Sequence, residues 1–229
     1  MPRASKTFTA LLHAKALAER KFLLLFLFLL ASLLLYPYAE SSAFGYYAFR
    51  VFGSVTIVFC VYAVSVRRSL VIAAVVLAIP TFLQRVLGMG MNPGAIPVAN
   101  IILSFAFDLL IVAVIFRRIF APGQATSERI FGALSMYLLI GFAFVSIYGA
   151  LVLVQPRAFL LDPATSTHVL PDRIDLVYYS FATMTSVGAV GISPVSGEAR
   201  CLTVIEAIIG VLYLAVLISR LVGAYRHPA

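Results

Sequence analysis

The chain has few charged residues, no tryptophan and only two cysteines. Of its 229 residues, 11% are charged and 62% are apolar or aromatic, whereas a soluble domain carries about 25% charged residues. This shortage excludes a soluble globular enzyme, a disordered chain and a nucleic-acid-binding protein. The composition, with a mean hydropathy of +1.05, is that of a polytopic membrane protein with little mass outside the bilayer.

Residues that could hold a metal or carry out catalysis are scarce and scattered. The three histidines, His13, His168 and His227, lie far apart and outside the apolar runs, and there is no CxxC pair. Cys60 lies deep in one apolar run and Cys201 near the outer end of another, so a disulfide between them is not expected. We therefore expect neither an enzyme nor a bound cofactor.

Six apolar runs are long enough to cross a bilayer, which needs about 20 helical residues. They cover about 22–38, 48–66, 70–87, 98–116, 130–154 and 202–222. The predicted organisation is a cytoplasmic segment 1–21, a four-helix transmembrane domain 22–118, a linker 119–129 and a last domain 130–225. Segment 1–21 is either an amphipathic interfacial helix or a solvated tail.

The net charge of +8 is explained by the positions of the basic residues. If six helices alternate in direction, five basic residues fall on one side of the membrane: Arg50, Arg85, Arg157, Arg173 and Arg200. The other twelve fall on the opposite side, which the positive-inside rule identifies as cytoplasmic. We expect a multi-pass protein of the plasma (inner) membrane with both termini in the cytoplasm and with some attraction to anionic lipid.

The segment between the fifth and sixth runs is too short and too broken to cross the membrane. After a polar outer loop, 155–171, residues 174–186 predict a short helix with Asp172 or Asp175 at its N-terminus. Two glycines and Pro194 then prevent the helix from continuing. A half-length helix followed by extended backbone between two full spans is a re-entrant loop, which survives at membrane depth only if it is buried or lines water.

The re-entrant segment has the features of a cation site. A helix that enters from outside directs the negative end of its dipole at the membrane centre. Carbonyls and hydroxyls of the next residues, from several copies around an axis, can replace the water shell of a cation. The predicted site for a monovalent cation comprises Thr185, Ser186, Val187 and Gly188.

The residues that follow Thr183-Met184-Thr185-Ser186, namely Val187-Gly188-Ala189-Val190-Gly191, resemble a known filter. The tetrameric potassium-channel superfamily, with its bacterial six-transmembrane members, has Thr-x-Thr-Thr and then Val-Gly-Tyr-Gly-Asp. The resemblance covers about 130–225 and implies an outer helix 130–154, a pore helix 174–186, a filter 185–191 and an inner helix 199–222. It implies an all-α membrane protein of six transmembrane helices that assembles as a homotetramer around a central pore.

The resemblance also assigns roles to residues around the filter. Glu206, Tyr178 and Tyr179 are expected to support the filter, although the tyrosines also suit plain packing. Gly210 falls at the position of the family's hinge glycine. Gating is expected at the filter, at an inner-helix bundle near Leu217 and Leu221, or in a separate partner.

The filter departs from the family at three positions. In a gap-free alignment Ala189 replaces the tyrosine, Val190 the second glycine and Gly191 the aspartate. A left-handed residue other than glycine costs about 1–2 kcal/mol, so four copies cost about 4–8 kcal/mol, and the outer filter is not expected to adopt the family conformation. The alternative is an inserted Ala189, with Val190 and Gly191 matching Tyr-Gly.

Two functions follow from this reading. The first is passive conduction of monovalent cations, K⁺ or Na⁺ or both, with fewer ordered cation sites and weak or altered K⁺ selectivity. The second is a non-conducting or regulatory channel-like subunit, closed by a hydrophobic collar of Ala189 and Val190. A secondary transporter is not favoured, because no internal repeat is present.

The first four runs lack a voltage sensor of the familiar kind. The fourth run has no arginine at every third position, and Arg117 and Arg118 are adjacent at its end. Its one intramembrane acid, Asp108, is a functional-site candidate. We expect it to make a hydrogen bond or an ion pair, with Arg50 or Arg85 as candidate partners.

Overall fold

The computed structural model describes residues 21–35, 37–38, 43–64, 68–87, 98–119, 126–164, 166 and 169–226. The helices and strands of these residues are α1 Lys21–Leu34, α2 Ala43–Val64, α3 Arg68–Leu87, α4 Val98–Ile119, α5 Ser127–Val154, β1 Phe159–Leu161, α6 Arg173–Met184, β2 Ile192–Pro194 and α7 Gly197–Arg226. Residues 1–20 with the predicted amphipathic segment, residues 120–125 of the predicted linker, and the three histidines lie outside the described residues. So do the side chains of Arg50, Arg85 and Leu221.

The helices follow the predicted apolar runs with different ends. The first run was predicted to reach about residue 38; α1 ends at Leu34, and Pro37 and Tyr38 are again helical. Among the described residues, two helices are both long and apolar enough to cross a membrane, Ser127–Val154 and Gly197–Arg220. Lys21–Leu34, Val51–Tyr62 and Leu70–Leu83 are shorter apolar helices.

Helix α5 is the centre of the packing. It begins at the N-cap Thr126, whose side chain accepts a hydrogen bond from the Arg129 amide, and it packs against α1, α4, α6 and α7. Small residues allow this close approach. A Cβ added at Gly132 would lie 3.3 Å from the Phe22 ring, and one at Gly141 would lie 2.7 Å from the Phe181 ring.

Asp108, the predicted intramembrane acid, joins α4 to α5. The Ser146 hydroxyl of α5 donates a hydrogen bond of 3.1 Å to its Oδ2. This contact matches the expected hydrogen bond, while the two candidate arginine side chains lie outside the described residues. Cys60 is buried and Cys201 is exposed, and neither forms a disulfide.

The prediction of an all-α protein is wrong in one respect, because two short strands pair. Strands β1 and β2 are antiparallel, with Phe159 opposite Pro194 and Leu161 opposite Ile192. Segment 155–171 was predicted to be a polar outer loop, but Phe159 and Leu161 are buried while Leu160 between them is exposed. This alternation is the two-residue period of a strand, and three residues are too few to reveal it in the sequence.

Candidate functional site

Helix α6 begins with a reciprocal cap made by the two predicted aspartates. Asp172 Oδ1 accepts hydrogen bonds from the amides of Ile174 (2.7 Å) and Asp175 (2.9 Å). Asp175 Oδ2 accepts in turn from the Asp172 amide at 2.9 Å. The arrangement satisfies amides at the helix start and places acidic side chains at the positive end of its dipole. The helix ends at Met184, two residues before the predicted end at 186.

A buried carboxyl group joins α6 to both neighbouring helices. Glu206 of α7 is 0% exposed. Its Oε1 lies 2.5 Å from the Ser180 hydroxyl of α6, and its Oε2 accepts from the Tyr148 hydroxyl of α5 at 2.5 Å. The Ser180 hydroxyl also lies 2.9 Å from the Gly141 carbonyl oxygen. The predicted support residue Glu206 is therefore placed directly behind α6.

Three further contacts hold α6 in place, two of them with α7 and one, through Tyr137, with α5. The Tyr179 hydroxyl lies 2.5 Å from Thr203 Oγ1, and the Thr203 hydroxyl donates to the Ala199 carbonyl at 2.7 Å, so Tyr179 donates to Thr203. At the end of α6, the Met184 carbonyl accepts from the Tyr137 hydroxyl at 3.3 Å. The same carbonyl lies against Gly210, where an added Cβ would overlap with it.

An aromatic cluster connects α6 to the outer strand β1. The rings of Tyr148, Phe159 and Tyr179 meet edge to face, with centroid distances of 5.0 to 5.4 Å. Such edge-to-face pairs are favourable beyond the burial of area alone. The cluster therefore fixes the middle of α6 between α5 and the segment that was predicted to be a loop.

The residues after α6 form a tight turn before the chain reverses. The amides of Val187 and Gly188 both donate to the Ala182 carbonyl, at 3.0 and 3.1 Å. The Thr185 hydroxyl donates back to the Phe181 carbonyl at 2.6 Å, and Ser186 has a left-handed φ of +59°. The turn brings the predicted cation site, residues 185–188, to the exposed side of α6.

The backbone handedness of residues 185–191 favours one of the two alignments that the sequence leaves open. Between residues 185 and 191, φ is positive at Ser186, Gly188 (+84°) and Gly191 (+85°), and Val190 has no positive φ. The second left-handed glycine position is thus taken by Gly191, as the alignment with an inserted Ala189 requires. The strain argument explains this outcome, because glycine adopts a left-handed φ without the clash that a β-branched valine would have.

Two hydrogen bonds hold the outer end of the loop. The Val190 amide donates to the Tyr178 hydroxyl of α6 at 3.0 Å. The Gly191 carbonyl accepts from the Asp162 amide beside β1 at 2.8 Å. The Gly191 carbonyl therefore faces Asp162, whereas the carbonyls before it do not.

The loop backbone leaves a row of carbonyls without partners. Within the described residues, no hydrogen bond ends on a carbonyl oxygen of residues 185–190. In a trans peptide the N–H and the preceding C=O point in opposite directions, and there are no cis peptides in the part of the chain that the structure describes. Because the amides of Val187, Gly188 and Val190 point at α6, the carbonyls of Ser186, Val187 and Ala189 point away from it.

The remaining predicted residues surround this loop unevenly. Ala189 is partly buried and packs against the hydrophobic cluster that includes these aromatic rings, whereas Val187 and Val190 are 80% and 77% exposed. Helix α7 continues without interruption past Gly210, and Leu217 is partly buried against the hydrophobic core.

Two residues near the site, Asp162 and Ala158, were not predicted from the sequence. Their backbone groups form hydrogen bonds with Gly191, Val195 and Ser196, and backbone contacts leave no residue-type signal.

The described residues contain no group of three or more His, Cys, Asp or Glu that could hold a metal ion. The polar groups that the loop presents are backbone carbonyls and hydroxyls, which suit weakly held monovalent cations.

Comparison with known proteins gives one match. The family model Ion_trans_2, described as an ion channel, matches residues 132–227. No curated protein and no solved structure matches the chain. The match begins within α5 and covers α6 and α7, so residues 132–227 are similar to the ion-channel family.

Proposed function

We propose that the protein conducts monovalent cations passively, K⁺ or Na⁺ or both, with weak or altered K⁺ selectivity. The observation that carries this proposal is the row of carbonyls from Thr185 to Val190, which accept no hydrogen bond from the described residues. Carbonyls at membrane depth are costly unless water or a cation satisfies them. Several copies of this row around an axis supply the oxygen atoms that replace a cation's water shell.

Electrostatics favours a cation at the same place. Helix α6 has its acidic cap, Asp172 and Asp175, at one end and the carbonyl row at the other. The C-terminal end of a helix carries about half a negative charge. Four such ends around an axis would lower the energy of a cation relative to an anion.

The proposed assembly is a homotetramer that crosses the plasma (inner) membrane, with six spans per chain and both termini in the cytoplasm. Helix α7 supports it, because many of its large apolar side chains are exposed in the single chain: Val204, Ile205, Ile208, Ile209, Val211, Leu212, Leu214, Val216, Ile218 and Val222. Such a surface on several sides of one helix needs lipid and neighbouring subunits to cover it.

The first test is flux through the purified protein in liposomes. We expect cation flux with a K⁺-over-Na⁺ permeability ratio below about ten, a barrier difference of less than about 1.4 kcal/mol, because few carbonyl rings are aligned. Protein-free liposomes and the anion chloride provide the controls. A ratio far above ten would contradict the proposed weak selectivity.

The runner-up function is a non-conducting channel-like subunit. The exposed side chains of Val187 and Val190 favour it, because four copies of each could form an apolar collar that excludes water. Ala189 packs against a buried hydrophobic cluster, so it would contribute less to such a collar. Absence of cation flux from an intact tetramer would select this function.

A second prediction concerns restoration of the family filter. Deletion of Ala189 combined with Val190→Tyr gives Val-Gly-Tyr-Gly and keeps Gly191 at its left-handed φ. We expect the K⁺-over-Na⁺ ratio to rise by about tenfold, equivalent to about 1.4 kcal/mol. The measurement is the same liposome flux assay.

The matched comparison keeps the chain length. The triple variant Ala189→Tyr, Val190→Gly and Gly191→Asp follows the gap-free alignment, and it places an aspartate at a φ of +85°. That strain costs about 1–2 kcal/mol in each subunit, so we expect less gain from this variant than from the deletion. A larger gain from the triple variant would show that the gap-free alignment governs the conducting state.

A further inference from the structure

Two neighbouring tyrosines of α6 have opposite surroundings. Tyr179 is 2% exposed and its hydroxyl meets Thr203 of α7. Tyr178 is 36% exposed and its hydroxyl accepts a hydrogen bond from the Val190 amide at 3.0 Å. Tyr178 therefore bridges the helix and the outer filter, whereas Tyr179 holds the helix to its support.

The hydrogen bond from Val190 has a consequence for the preceding carbonyl. The Ala189 carbonyl and the Val190 amide belong to one planar trans peptide and point in opposite directions. Because the Tyr178 hydroxyl holds the amide toward α6, it holds the Ala189 oxygen away from α6, on the side of the loop where the other unpartnered carbonyls lie.

The inner part of the loop does not depend on this contact. The carbonyls of Ser186 and Val187 are oriented by the amides of Val187 and Gly188, which donate to the backbone carbonyl of Ala182. The orientation of the Ala189 carbonyl rests instead on a side chain. Along the loop, the Ala189 carbonyl is the last one that a hydrogen bond orients away from α6. The Gly191 carbonyl instead faces the outer segment, where it accepts from the Asp162 amide.

We infer that Tyr178 determines the ion specificity of the pore, by orienting the Ala189 carbonyl as the outermost ring of cation ligands whose direction a hydrogen bond fixes. The inference rests on the proposed function and adds to it the residue that fixes the outer ring. Tyr178 is a positioning residue, because it acts on the permeant ion through the Ala189–Val190 peptide. Position 189 is alanine where the resembled filter has tyrosine, and in this protein a tyrosine of α6, Tyr178, contacts the outer loop instead.

The test compares Tyr178→Phe with Tyr179→Phe in the liposome flux assay, using Li⁺, Na⁺, K⁺, Rb⁺ and Cs⁺ as a size series. Each change removes one hydroxyl from α6 and keeps the ring. We expect Tyr178→Phe to change the relative permeabilities of the series by at least about threefold, the effect of one hydrogen bond, in an intact tetramer. Tyr179→Phe should leave the relative permeabilities unchanged, even if it lowers the thermal stability of the tetramer.

A second variant removes the other half of the same hydrogen bond. Replacing Val190 by the corresponding α-hydroxy acid converts its amide to an ester, which deletes the N–H and keeps every side chain. The ester also makes the Ala189 carbonyl a weaker ligand, so we expect a change in permeability ratios at least as large as in Tyr178→Phe. Adding Tyr178→Phe to the ester should cause no further change, because the hydrogen bond is already absent. This variant decides the question if Tyr178→Phe does not yield a tetramer.

The outcomes separate the inference from the proposed function. Wild-type protein without cation flux overturns the proposed function and, with it, this inference. Wild-type flux with permeability ratios that neither Tyr178→Phe nor the Val190 ester changes overturns the inference alone. A change of equal size in Tyr179→Phe would also overturn it, because the effect would then follow from loosening α6 as a whole.

Discussion

Gly210→Ala is expected to abolish cation flux and to prevent stable tetramer formation. A Cβ at this position overlaps with the Met184 carbonyl oxygen and approaches Met184 Cγ to 2.8 Å. Backbone of α6 cannot yield as a flexible side chain would, so the cost is that of an overpacked core, about 1–3 kcal/mol in each subunit. Four subunits of the proposed tetramer would lose about 4–12 kcal/mol, which is comparable to the whole net stability of a domain.

The matched control is Gly149→Ala in the neighbouring helix α5. A Cβ there meets only Leu176 Cδ1, at 4.0 Å. Alanine is favoured over glycine in a helix interior by about 1 kcal/mol, so this variant should be at least as stable as the wild type. The measurements are the tetramer fraction in detergent by size-exclusion chromatography and the liposome flux. Wild-type behaviour of Gly210→Ala would contradict the packing that we describe.

The same pair of variants bears on the expectation that Gly210 is a hinge. If the glycine were needed only to let α7 bend, Gly210→Ala should still assemble and should change only the opening of the pore. If the contact with Met184 requires it, assembly itself should fail. A stable but constitutively closed or open tetramer would therefore favour the hinge.

Glu206→Leu should be the second severely damaging change. The side chain would leave the buried Tyr148 hydroxyl without its partner, and an unsatisfied buried hydroxyl costs about 1–3 kcal/mol. It would also remove the bond that joins Ser180 of α6 to α7. We expect a lower melting temperature of the tetramer and a loss of flux.

Glu206→Gln is the matched control. We expect the protein to tolerate this change, because a glutamine can supply the hydrogen atom that the surrounding hydroxyls lack. Three short contacts surround this group, Tyr148 to Glu206, Ser180 to Glu206 and Ser180 to Gly141, but the two hydroxyls supply only two hydrogens. The third contact is satisfied if the side chain at 206 itself donates to Ser180, as a glutamine amide does. Equal damage from the glutamine and leucine variants would contradict this arrangement.

Sequence patterns were sufficient for the elements whose signals are local. The start of α6 follows from Asp172 and Asp175, and its end follows from the glycines that come after it. The small residues of α5 indicated close packing, and Gly141 does lie against the Phe181 ring. In each case the residue type is itself the physical cause of the feature.

The rest could not be predicted because it depends on contacts between distant backbone groups. The Tyr178 bond to Val190 requires the turn at Ser186, a left-handed residue that is not glycine. The choice between the two filter alignments requires the φ of Gly191. The role of Gly210 requires the position of the Met184 carbonyl, and a helical glycine alone predicts either a hinge or a close contact.

The pairing of β1 with β2 has a consequence for how the re-entrant segment folds. Phe159 and Pro194 are opposite each other, so α6 and the residues after it form a closed loop between paired ends. The entropy of closing a loop rises only slowly with its length, and once the strands have paired, the later ordering of the loop begins from fixed ends. Pairing of β1 with β2 therefore lowers the entropy cost of ordering α6 and the loop, whose own contacts, such as Ser180 to Gly141, join residues far apart in the sequence.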